Sequence, residues 1–149
     1  VIDSFGEVVR FNEHPFGGEY AEDVGSRVTI WFASACVPSA PAKCRKVWYR
    51  PYGLDLNDDW EQIPRETEIG AMMLLGQKDG WPSTGLMALV CLLQEFPVVH
   101  TAGWWAGETF DNYLWDTKND LPPGLSHRAD LERSLYRKWV DQGRVVPID

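Results

Sequence analysis

The stretch from Ser83 to Phe96 constrains the fold most, because it is apolar on nearly every side. A helix of that composition must be covered on most of its surface, so it belongs in a core. The residues before it read as a helix start. Pro82 fits just ahead of a helix and not inside one. Ser83 or Thr84 can cap the helix, and Gly85 lets a backbone or a ligand approach closely. The run from Val98 to Trp104 then returns as a strand. A buried helix followed by such a strand implies one step of a mostly parallel sheet flanked by helices. Free N–H groups and the helix dipole also make such an N-terminus able to take a phosphate. Most Pro-Ser-Thr-Gly strings are plain turns with a cap, so this reading draws its support from the rest of the chain.

Other elements follow from periodicity. Val8–Phe11, Arg27–Ser34 and Arg45–Arg50 read as strands. In the second of these, Val28, Ile30 and Phe32 alternate with Thr29 and Trp31. The stretch 51–64 is polar and turn-rich and shows no clear element. Glu66–Leu75 reads as a helix, with Ile69, Met72 and Met73 at helical spacing and Gly76 as a stop. Gly107–Gly124, rich in aromatic residues, Asp and Asn, suits a loop over a pocket. Ser126 is expected to cap a last helix that reaches about Gln142, with Leu131, Leu135 and Trp139 marking its buried face. Gly143 ends it, and Arg144–Ile148 reads as an edge strand. Without an internal repeat or a composition break, residues 1–149 are read as one α/β domain.

Bulk properties narrow the function. The 149 residues are 44 % apolar, enough for one core and too apolar for disorder. A formal charge of −8 argues against nucleic acid and anionic membranes, though not against a small anion held locally. The eight tryptophans fit core or pocket walls. No apolar run reaches membrane-spanning length and no signal peptide stands out, so the expected location is the cytoplasm. Val1 falls in what reads as mid-segment, so a fragment or processed form is expected, and a Golgi lumenal location if the full chain is longer. Cys36, Cys44 and Cys91 lack metal spacing. Cys36 and Cys44 could pair in an oxidising compartment, and Cys91 reads as an inert core residue.

Three stretches carry chemistry. The first is Ile2-Asp3-Ser4 through Val8-Val9-Arg10-Phe11-Asn12, continuing to Asp23-Val24-Gly25-Ser26-Arg27-Val28-Thr29. The second is Pro82-Ser83-Thr84-Gly85, and the third is His127-Arg128-Ala129-Asp130-Leu131-Glu132. In this order they resemble the large, small and very small sialyl motifs of the eukaryotic-type sialyltransferases, glycosyltransferase family 29. The resemblance runs over most of the chain. It implies a single Rossmann-like domain, a variant of the GT-A type. The implied reaction is metal-independent and needs no cofactor. A sialic acid, or a related ulosonic acid such as Kdo, passes from a CMP-sugar donor to a glycan acceptor hydroxyl with inversion.

Residue roles follow from the resemblance and have a physical rationale. Asn12 ends a strand, where ligands of parallel sheets sit, and its amide both donates and accepts. Ser83, Thr84 and Gly85 would hold the CMP phosphate and ribose. His127, in the first turn of a helix, would be kept neutral by the helix dipole and act as general base. Glu132 lies about 140° around the helix from His127, so it reads as an anchor rather than a partner of the base. Arg10 and Asp23 read as an internal pair.

Departures from the family pattern are specific. The large motif starts upstream of Val1, so the expected sheet lacks its first strand and the donor site lacks a wall. Phe96 stands where the family has a disulfide cysteine, which favours a reducing compartment. A family histidine followed by aromatics falls near Asn112 and Tyr113, where the aromatics are present and the histidine is not. Asn112 could still donate a neutral hydrogen bond to the departing phosphate. Two other readings stand beside the enzyme: a catalytically silent nucleotide- or glycan-binding homologue, and an acidic interaction domain presenting its Trp104-Trp105 loop.

Overall fold

The computed structural model describes residues 1–11, 22, 25–33, 44, 46–49, 61–76, 82–102 and 129–148. The described elements are strands and helices, and every described strand pair is parallel, so the fold is α/β. The chain divides into two compact units, Val1–Thr67 and Glu68–Asp149.

The first unit carries a four-stranded sheet in the order β1 (Val9–Phe11), β2 (Ile30–Ala33), β3 (Lys46–Tyr49) and β4 (Glu61–Gln62). Val9, Arg10 and Phe11 pair with Ile30, Trp31 and Phe32, and Ile30 to Ala33 pair in turn with Lys46 to Tyr49. All four residues of β2 are buried. The alternation in the sequence implies one buried side, but a parallel strand between two neighbours is covered on both faces. β2 is also shorter than its apolar pattern. The amides of Ser26 and Arg27 turn to the Asp3 carboxylate instead of a ladder. Thr29 is tied to Val8 through its side chain and its own amide. β4 lies in the stretch read as elementless; two exposed polar residues at a sheet edge leave no periodic signature.

Helix α1 (Arg65–Leu74) forms close to the expected bounds and stops ahead of Gly76. Its buried side is Thr67, Ala71 and Leu75, however. Ile69, Met73 and Leu74 are 47 %, 74 % and 53 % exposed. Thr67, Ala71 and Leu75 pack inward, Met72 is half-buried, and Ile69 and Met73 point outward.

In the second unit, α2 (Thr84–Glu95) buries every residue from Leu86 to Leu93. Ser83 caps it by accepting a hydrogen bond from the Leu86 amide at 3.1 Å. It ends at Phe96, which takes an extended conformation (φ −119°, ψ 135°) as a residue before Pro97 must. β5 (Val99–Thr101) pairs with β6 (Val145–Pro147) in parallel, with α3 (Ala129–Asp141) between them in sequence. This is a parallel strand–helix–strand unit, one element on from the helix-then-strand step, α2 to β5, that the sequence implies. Gly143, at φ +69°, closes α3. The Arg144 amide reaches the Trp139 carbonyl and the Gly143 amide the Val140 carbonyl, both at 2.9 Å, the Schellman pattern. The Arg144 guanidinium then donates to the Leu93 carbonyl near the end of α2. Thr101 and Tyr136 share a buried hydroxyl–hydroxyl hydrogen bond of 2.6 Å.

Cys91 is buried in α2, as its apolar surroundings require. Cys44 is a free thiol, so the bridge to Cys36 that the sequence allows is not formed. Partial burial raises its thiol pKa.

Candidate functional site

The first turn of α2 is organised around a carboxylate from α3. Glu132 is 0 % exposed and shares the buried side of α3 with Leu135, Tyr136 and Trp139. Its Oε1 accepts from the Ser83 amide at 2.8 Å, and its Oε2 accepts from the Ser83 hydroxyl at 2.6 Å. That hydroxyl oxygen accepts in turn from the Leu86 amide. A relay therefore runs from the Leu86 amide through Ser83 to Glu132. Both carboxylate oxygens receive donors at the N-terminal end of α2. Pro82, just ahead of the turn, is buried and has no amide of its own to satisfy there.

Ser83 and Glu132 are 49 residues apart in sequence. Helix geometry marks Glu132 as an anchor; the structure adds what it grips, which no local signal reveals. The consequence for ligand binding is direct. The Ser83 amide and hydroxyl are both committed to Glu132. Thr84 and Gly85, the first two residues of α2, are half-buried, and their amides together with the Thr84 hydroxyl are the donors through which this turn can meet an anion. Asn12, Asn112, Tyr113 and His127 lie outside the described residues, as do Asp23 and Ser126. His100 is an exposed residue of β5.

The large-motif stretch forms a second cluster, within the first unit. Asp3 sits in a short 3-10 turn, Ile2–Ser4. Its carboxylate accepts the Ser26 amide at 2.8 Å, the Ser26 hydroxyl at 3.1 Å and the Arg27 amide at 3.0 Å. These amide donors, Ser26 first and Arg27 second, hold the Asp3 carboxyl below its ordinary range. Arg27 answers by donating to the carbonyls of Asp3, Phe5 and Gly6. Gly25 permits this at φ +77°, and a Cβ there would lie 2.5 Å from Asp3 Oδ1. Arg10 donates from Nε to the Arg27 carbonyl at 3.4 Å; burial depresses its pKa and the charge of Asp3 opposes that shift. The cluster fastens the 1–7 segment to the start of β2.

Among the described residues, no group of three or more His, Cys, Asp or Glu is arranged to hold a metal ion. No helix among them is long and apolar enough to cross a membrane. No family model, curated protein or solved structure matches the chain.

Proposed function

We propose that this chain is a sialyltransferase-like glycosyltransferase, inverting and metal-independent. It would transfer sialic acid or a related ulosonic acid from a CMP-sugar to a glycan hydroxyl. One observation carries the reading: Ser83 of the Pro-Ser-Thr-Gly stretch and the buried Glu132 of the His-x-x-x-x-Glu stretch meet in a part-buried hydrogen-bonded pair. Two motifs that share one catalytic cleft must be held together, and this pair supports that reading. In this scheme His127 takes the acceptor proton, and Thr84 and Gly85 receive the CMP phosphate with Ser83 shaping the turn. By the resemblance, donor contacts would also fall to Asn12, Asn112 and Tyr113, which lie outside the described residues. The parallel strand pairs support a Rossmann-like domain. The free Cys44 thiol and the Phe96 position support a reducing compartment, the cytoplasm.

A catalytically silent CMP-binding homologue is the second reading. It is favoured by the commitment of both Ser83 donors to a carboxylate, which weakens the hold on a phosphate. Two measurements decide. CMP, set beside UMP and AMP, is expected to raise the melting temperature; no selective shift rejects both readings. CMP release from CMP-sialic acid in EDTA separates enzyme from binder, and His127→Ala should abolish release while keeping the CMP shift. Loss of both together would remove His127 from the role of base.

A further inference from the structure

We draw no further inference here: the strongest candidate, the exposed apolar patch of Ile69, Met73 and Leu74 on α1, carries nothing because nothing in the structure shows what covers it.

Discussion

Removing the Glu132 carboxylate should cost more than its size suggests, because both partners lie on one residue. The structure gives it two hydrogen bonds, at 2.8 and 2.6 Å, inside a site with 0 % exposure. Hydrogen bonds to charged groups contribute about 1.5–3 kcal/mol each, and a buried donor left unmade costs about 1–3 kcal/mol. Glu132→Ala strands the Ser83 amide and adds a cavity, so a loss of about 2–5 kcal/mol is expected. Glu132→Gln keeps an acceptor for the Ser83 amide but loses the charge-assisted bond from the Ser83 hydroxyl, and about 1–3 kcal/mol is expected. Ser83→Ala removes the cap of α2, about 1 kcal/mol, and also the second bond to Glu132. The decisive experiment is a double-mutant cycle of Ser83→Ala and Glu132→Gln. Urea unfolding at neutral pH, followed by tryptophan fluorescence, would give the four stabilities. Residues in one hydrogen-bonded network couple by about 0.5–3 kcal/mol. A coupling energy indistinguishable from zero would refute the relay, and with it the chief support for the functional reading.

Two further expectations concern the Asp3 cluster and α3. The folded pKa of Asp3 is depressed, so its stabilisation is fully present above the unfolded carboxylate pKa and is lost as pH falls through the folded value. Stability curves of the wild type and Asp3→Asn should therefore run apart at neutral pH and converge in acid; parallel curves down to the lowest pH would contradict the cluster. Gly25→Ala and Gly143→Ala separate backbone strain from contact. Both glycines have positive φ, but a Cβ at Gly143 meets nothing within 4 Å whereas one at Gly25 strikes Asp3. The Gly143 change should cost about 1–2 kcal/mol from conformation alone, and the Gly25 change clearly more, read as shifts in urea midpoint.

Much of the local architecture was legible because its causes are local. Ser83 caps α2, Pro97 sets the conformation of Phe96 and Gly143 closes α3, each through bonds or sterics within a few residues. The apolar run to Leu93 required burial wherever the helix lay. The turned face of α1 was not legible. Thr67 and Ala71 carry weaker apolar signals than Ile69 and Met73, yet they face inward. Nor could β4 be seen, since two exposed polar residues pair only because β3 lies alongside.

The candidate site divides in the same way. Residue types and spacing brought Ser83, Thr84, Gly85 and Glu132 to notice, because capping and helical angle depend only on neighbours along the chain. That the Ser83 donors point into Glu132 was decided by tertiary structure. Likewise, the sequence places Asp3 and Gly25 in one motif stretch without showing that they touch. They become a clasp only when the chain returns to set two amides against one carboxylate. Sequence determined which groups were available to bond, and packing determined which of them met. A buried carboxylate must find donors, and the nearest in space need not be near in sequence.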